Sequence, residues 1–200
     1  MLLKTNSDEN IATQMEKCLS EFDYTNLGKE EIKMRICYPK SEFTNQTEIY
    51  LFNQKVNKGI NYVMTKKNEK PKAKVYTSEV DENFLTIFEK IQMFNFRQIY
   101  TFDINRALFG DIEIKYGNMY KEVLEKIHFL EISSPYTHTF ENSKNFIFDI
   151  VSNFFPFCEE KEIEESCMLS NNILAEYEFG KKTKHLELLQ YVNYIFKKKI

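Results

Sequence analysis

The sequence predicts an α+β protein in which antiparallel strands curl into a barrel with helices outside it. Two observations support this prediction. Segments that alternate charged and apolar residues recur along the chain, as in residues 31–36 and 111–116, and this period of two is typical of a strand with one face on a core. Amphipathic helical segments stand before, between and after these strands, and that order favours an antiparallel sheet with segregated helices.

The first element is predicted to be a helix, followed by several strands. Behind a polar capping segment at residues 6–8, apolar residues recur at i, i+4, i+7, i+8 and i+11, namely Ile11, Met15, Cys18, Leu19 and Phe22. Gly28 is expected to end this segment. Strands are then predicted at residues 31–36, 48–52, 60–65 and 74–80. The lysine-rich stretch around Pro71 has the composition of an exposed hairpin loop.

A second helix and three more strands follow. Asp81 is predicted to cap a helix with an apolar face at Phe84, Leu85, Phe88 and Ile91. Residues 94–104 form a long extended segment whose even positions predict one aromatic face: Phe94, Phe96, Tyr100, Phe102 and Ile104. Strands at residues 111–116 and from residue 126 onward are expected to pair with it as an antiparallel meander.

Two helices are predicted to close the chain. The first has its apolar residues at Phe146, Ile147, Ile150, Val151 and Phe154, and Pro156 stops it. The last begins at about Thr183 and presents Leu188, Leu189, Val192, Ile195 and Phe196. With 200 residues, residues 1–200 are most simply one domain around a single core.

Composition narrows the class of protein. The chain has 18 phenylalanines and 12 tyrosines but no tryptophan, which suggests a sheet-rich, aromatic interior. A net charge of -3 gives no global positive field, so direct nucleic-acid binding is not expected. The first residues are too short an apolar run for a signal peptide, and no stretch approaches the roughly 20 apolar residues that cross a bilayer. We therefore expect an intracellular protein without a membrane segment.

Most motifs for enzymatic chemistry are missing. The glycines are scattered and fit no phosphate-binding loop. Ser133 and Ser134 precede a proline and fit a turn rather than a nucleophile assisted by His138. The histidines at 128, 138 and 185 lack the i, i+4 spacing of helical metal ligands. Cys18, Cys37, Cys158 and Cys167 form no C-x-x-C pair and are expected to be buried or half-buried thiols. The lysines at 66, 67, 70, 72 and 74 suit a solvated hairpin tip.

Glu31 and Glu131 are the candidate metal ligands. A divalent ion inside a barrel needs several hard oxygen ligands, and two glutamates two residues apart on one strand would supply them economically. Here Glu31 is followed at i+2 by Lys33, and Glu131 by Ser133, so each potential pair is half filled. The favoured interpretation is that Glu131 is structural or vestigial. The alternative, that Glu31 and Glu131 together hold a metal ion, stays open.

Three segments carry a resemblance to a known family. They read NFLTIFEKIQMFNFRQIY from residue 83, ALFGDIEIKYGNMY from residue 107 and IHFLEISSPY from residue 127, and LLKTNSDENIATQMEKCLSEF at the amino end adds a strand and a helix. Together they resemble the Mediator subunit 18 family, a non-catalytic relative of the triphosphate-tunnel (CYTH-like) barrel enzymes. Glu131 followed by Ser133 matches that family, where the enzymes keep a second glutamate.

The resemblance implies a non-enzymatic role. It implies a scaffold subunit in the head module of Mediator, the coactivator of RNA polymerase II transcription, located in the nucleus and contacting the polymerase machinery indirectly. It also implies a heterodimer with Mediator subunit 20, a docked helix of Mediator subunit 8, no cofactor and no catalytic residue. The alternative is a divalent-metal-dependent triphosphatase of the tunnel type that uses Glu31 and Glu131. The inward face of the sheet separates the two, because an enzyme would line it with charges and a scaffold with Phe, Tyr and Ile.

Overall fold

The computed structural model describes residues 2–5, 11–40, 47–54, 61–67, 73–91, 94–122, 125–133, 140–154, 177–178, 188–192 and 195. The strands in these ranges are β1 (Leu2–Thr5), β2 (Thr25–Pro39), β3 (Thr47–Gln54), β4 (Asn61–Lys67), β5 (Ala73–Val80), β6 (Phe94–Phe109), β7 (Ile112–Lys121), β8 (Glu125–Ser133) and β9 (Tyr177–Glu178). The helices are α1 (Ile11–Ser20), α2 (Glu82–Lys90) and α3 (Phe140–Phe154), and residues 188–192 are also helical.

The described strands form one sheet in the order β1-β8-β7-β6-β2-β3-β4-β5-β9. Each neighbouring pair is antiparallel except β5 and β9, which run parallel. The predicted α+β class and antiparallel sheet are confirmed. The predicted barrel is not confirmed, because β1 and β9 lie at opposite ends of the strand order and, within the described ranges, do not pair with each other.

The sheet has a core on each face. On one face, called the inner face, the middle of β2 to β8 packs around residues 188–192; it buries Ile32, Met34, Ile36, Tyr50, Phe52, Tyr62, Met64, Val75, Tyr100, Phe102, Ile104, Met119, Phe129, Leu188, Leu189, Tyr191 and Val192. On the other, the outer face, α1 and α3 cover β6 to β8, and α2 covers β2 and β3. Because strands from β2 to β8 meet in one inner cluster, the sheet curves around the helix at 188–192.

The predicted aromatic face of β6 is correct for only part of the strand. Tyr100, Phe102 and Ile104 lie in the inner cluster, as predicted. The register of β6 against β2 shifts between Ile36 and Cys37, where one extra β6 residue is inserted. A β-bulge of this kind reverses the side-chain alternation beyond it. Phe94 therefore lies on the outer face, packed against the cluster around α2.

The first helix is shorter than predicted, and the strand after it is longer. The helix ends at Ser20, and β2 begins at Thr25, so Gly28 lies within a strand rather than at a helix end. Gly28 has φ +90 at an irregularity in the β2–β6 register, a conformation that glycine adopts without strain. Residues 25–30 lack a regular period of two, which explains why the sequence did not predict this part of β2.

Local signals at α2 and the cysteines are also confirmed where they are described. The Asp81 carboxylate accepts a hydrogen bond of 2.8 Å from the Phe84 N–H and caps α2, as predicted. Cys37 is buried and Cys18 half-buried, and burial raises the pKa of the Cys37 thiol to about 12. Cys158 and Cys167 lie outside the described residues. Among the helices described, none is long and apolar enough to span a bilayer.

Candidate functional site

A cluster of four charged side chains lies at one end of the inner face. Lys115 on β7 stands opposite Arg106 on β6 and Glu131 on β8, and Glu113 lies two residues from Lys115 on the same face. The period of two along each strand directs these side chains inward, while Ile114 and its neighbours on the other face pack against α1 and α3. We call Arg106, Glu113, Lys115 and Glu131 the inner charge cluster.

Glu131 is held at the buried end of this cluster. The Tyr191 hydroxyl donates to Glu131 Oε2 over 2.7 Å, and Lys115 Nζ lies 3.8 Å from Glu131 Oε1. The side chains of Lys115 and Glu131 are only 7% and 6% exposed. A buried carboxylate is costly without partners, because removing it from water disfavours the charged form. Lys115 and Tyr191 offset this cost and make Glu131 part of the packing.

Arg106 and Glu113 form the more exposed half of the cluster. Both Arg106 Nε and Nη2 donate to Glu113 Oε1, over 2.9 and 2.6 Å. The two side chains are 31% and 26% exposed, so this pair is partly screened by water and contributes about 1 kcal/mol at most. The four side chains carry two positive and two negative charges, so the cluster offers no net field to an anionic ligand.

Apolar and aromatic side chains fill the inner face beside the cluster. The Tyr191 ring lies 4.8 Å from the Phe102 ring, measured between centroids, and Phe102 contacts Phe129 at 5.9 Å. Leu188, Leu189 and Val192 are at most 2% exposed. Residues 188–192 thus fill the inner face beside the cluster.

Glu31 lies on the outer face. It follows Glu30 and precedes Ile32, an inner-face residue, and it lines a cleft of about 640 Å³ beside α1 together with Glu16, Asp103 and Asn118. Lys33 Nζ lies 3.5 Å from Glu31 Oε1. Within the described ranges, no three His, Cys, Asp or Glu side chains are grouped as metal ligands would be.

The two predicted metal ligands are therefore not brought together. Glu131 points to the inner face, where it bonds Tyr191, and Glu31 to the outer face, with the sheet between them. One ion cannot bind both carboxylates in this arrangement.

The other site residues considered in the sequence do not belong to the inner charge cluster. His128 is buried on β8 opposite Asn118, and burial, with a smaller contribution from Lys126, lowers its pKa. Ser133 ends β8. Ser134, His138, His185, Lys70 and Lys72 lie outside the described residues. Lys66 Nζ lies 4.0 Å from Glu48 Oε2 on β3, far along the sheet from the inner charge cluster.

The sequence did not single out Arg106, Glu113, Lys115 or Tyr191 as site residues. A signal for two of them was present, because Glu113 and Lys115 alternate with Ile112 and Ile114. The alternation predicts a strand with one face on a core, but period two alone does not say whether the polar face meets solvent or a second core.

The architecture is shared with several solved structures. The chain is similar to the PH1012 protein of Pyrococcus horikoshii, with 13% identity, a TM-score of 0.51 and coverage of 81% of this chain and 92% of that one. A Hippeastrum protein described as an adenylyl cyclase candidate with a dominant triphosphatase activity matches at 10% identity and a TM-score of 0.50, over 76% of this chain and 85% of that one. The fold is CYTH-like.

A third similar structure is a chain of the Schizosaccharomyces pombe Mediator head module. It has 8% identity and a TM-score of 0.49, and the match covers 79% of this chain and 94% of that one. No protein-family model matches the sequence, and no curated protein sequence is significantly similar to it. At identities this low the likenesses describe a shared fold and transfer no activity or partner, and the weaker Mediator match supports no argument.

Proposed function

We propose that the protein is a single-domain, non-enzymatic scaffold with a CYTH-like fold. The observation that supports this most is the filled inner face. Phe102, Phe129 and the helix at residues 188–192 occupy it, whereas a triphosphate would need an open channel lined by cations. Glu131, the one inward carboxylate that the sequence offered as a ligand, already bonds Tyr191 and lies beside Lys115.

The proposed setting of the scaffold is the head module of Mediator in the nucleus. The sequence resemblance in residues 2–22 and 83–136 supports this setting, and the filled inner face agrees with a family in which the barrel is not catalytic. The proposed partners are Mediator subunit 20 as heterodimer partner and a helix of Mediator subunit 8, with the RNA polymerase II machinery contacted indirectly.

A tunnel-type triphosphatase is the second candidate. The observation in its favour is the inner charge cluster, since Arg106 and Lys115 place two cations on the face where such enzymes bind phosphates. Each of these cations has a carboxylate within 4 Å, Glu113 and Glu131 respectively. A phosphate would have to displace those carboxylates, so we rank this function second.

Affinity purification from the native cell tests the scaffold proposal. Full-length tagged protein is expected to co-purify with several Mediator subunits, including subunits 20 and 8, and an identically tagged unrelated protein serves as the control. A partner that binds only the folded state stabilises it, by about 2.7 kcal/mol at a hundredfold excess over Kd. Purified subunit 20 is therefore expected to raise Tm by about 5–10 °C for a protein of this size. The Mediator setting would be excluded if the tagged protein were recovered without any Mediator subunit and if subunit 20 did not change its Tm.

A further inference from the structure

The first part of β6 lies at an open edge of the sheet, within the part of the chain that the structure describes. β2 pairs with β6 from Phe94 to Leu108, whereas β7 pairs with it only from Tyr100 onward. The ladder on the β7 side ends where the Glu122 N–H donates to the Ile99 carbonyl over 3.1 Å. Residues 94–98 thus have a described strand on one side only. Backbone groups on the other side of such an edge can pair with a further strand.

Exposed apolar side chains adjoin this edge on the outer face. They lie on α2, on the residue after it and on β6, are 37% to 56% exposed, and comprise Phe84, Ile87, Ile91, Phe96 and Ile99. The buried ring of Phe88 joins the two elements, because its centroid lies 5.9 Å from that of Phe84 and 6.3 Å from that of Phe96. We call the five exposed residues the α2–β6 patch. A cluster of exposed apolar side chains of this kind is typical of an interaction site.

The inner side of the same edge carries a positive charge. The guanidinium carbon of Arg97 lies 5.5 Å from the centroid of the Tyr38 ring, which packs against the inner cluster. Arg97 is exposed, and no carboxylate of the described chain forms an ion pair with it. A strand lying along this edge would direct alternate side chains to the apolar patch on one face and to Arg97 on the other.

We propose that residues 94–98 and the α2–β6 patch bind an extended segment of a partner polypeptide, which adds to the sheet as a strand beside β6. Main-chain hydrogen bonds would supply affinity, and alternating side chains specificity. The segment would place apolar residues toward Phe96 and α2 and acidic residues toward Arg97. A second copy of this edge does not fit, because its sequence FNFRQI contains no acidic residue and would bring another Arg97. The surface is separate from the inner charge cluster and does not depend on the Mediator setting.

Peptide binding to the full-length protein tests this proposal. The probes are fluorescein-labelled eight-residue peptides that alternate isoleucine or valine with glutamate, measured by fluorescence anisotropy. Saturable binding is expected, with at least tenfold weaker binding when alternate peptide nitrogens are methylated, since methylation removes the strand-pairing N–H groups. Replacing glutamate by lysine in the peptide is expected to weaken binding severalfold, and Arg97→Glu to reverse that preference.

Two variants at exposed positions distinguish a loss of binding from a loss of folding. Ile87→Ser on α2 is expected to weaken binding severalfold, whereas Leu27→Ser, at a position on β2 that is 41% exposed and lies outside the patch, is expected to leave it unchanged. Equal binding of the methylated peptide would overturn strand addition, and so would the absence of saturable binding or an unchanged preference in Arg97→Glu. Self-association of the protein that Ile87→Ser abolishes would assign the patch to a second copy. These readouts involve neither Mediator subunits nor triphosphates, so they fail or succeed separately from the proposed function.

Discussion

Replacing Gly117 by alanine is expected to lower the free energy of unfolding by more than about 3 kcal/mol, among the largest effects of a single methyl group. Gly117 on β7 stands opposite Ile104 on β6, and a Cβ at this position would lie 1.9 Å from the carbonyl oxygen of Asp103. That oxygen belongs to the backbone of a strand paired on both sides, so it cannot rotate away. The two strands would have to separate locally and lose ladder hydrogen bonds.

Gly110→Ala is the matched control for this prediction. Gly110 has φ +56 in the turn between β6 and β7, but a Cβ there meets no atom within 4 Å. Its cost is the left-handed conformation alone, about 1–2 kcal/mol. Urea denaturation of the two variants against the parent measures the difference. Equal losses at the two glycines would contradict the close approach of β7 to β6.

The double variant Leu188→Ala/Leu189→Ala is expected to destabilise the protein by about 4 kcal/mol or more. Leu188 and Leu189 are 0% and 1% exposed and belong to the inner cluster. Truncating one buried leucine to alanine costs about 2–5 kcal/mol through lost transfer energy and the remaining cavity. The lost packing is expected to lie on the inner face, because these two leucine side chains fill the concave side of the sheet.

Leu27→Ala controls for the chemistry of the substitution. Leu27 is 41% exposed on β2, and exposed substitutions usually change stability by no more than about 0.5 kcal/mol. Denaturant midpoints of the double variant, the control and the parent give the comparison. A double variant as stable as the control would mean that residues 188–192 do not pack against the sheet. The inner face would then not be filled by this helix.

The strand positions could be predicted from the local sequence, because the pattern that indicates a strand lies within the residues of that strand. Alternation in β2 and β7 and the capping carboxylate of Asp81 are local signals, and the structure confirms them. The bulge at Arg97 was not predictable in this way. It depends on how β2 and β6 pair, and it moved Phe94 to the face opposite Tyr100.

The inner charge cluster could not be predicted from local pattern, because it depends on contacts between distant parts of the chain. Tyr191 and Glu131, which bond each other, are 60 residues apart in sequence, and no pattern in either segment indicates the other. The sequence placed Glu31 in an alternating strand and Glu131 in the middle of an apolar one. Neither pattern could show that the two side chains point to opposite faces of the sheet. Which polar face meets solvent and which meets a second core is set by packing of the whole chain.

Phosphate release from triphosphates tests the central claim most directly, namely that the inner face of this CYTH-like fold is filled and does not catalyse. The purified protein is incubated with triphosphate-ended RNA, ATP or thiamine triphosphate and Mg²⁺ or Mn²⁺, beside Glu131→Ala as the matched variant. No release above background is expected from either protein. Turnover of about 1 s⁻¹ or more that Glu131→Ala abolishes would contradict a filled, non-catalytic inner face and make the tunnel triphosphatase the correct assignment.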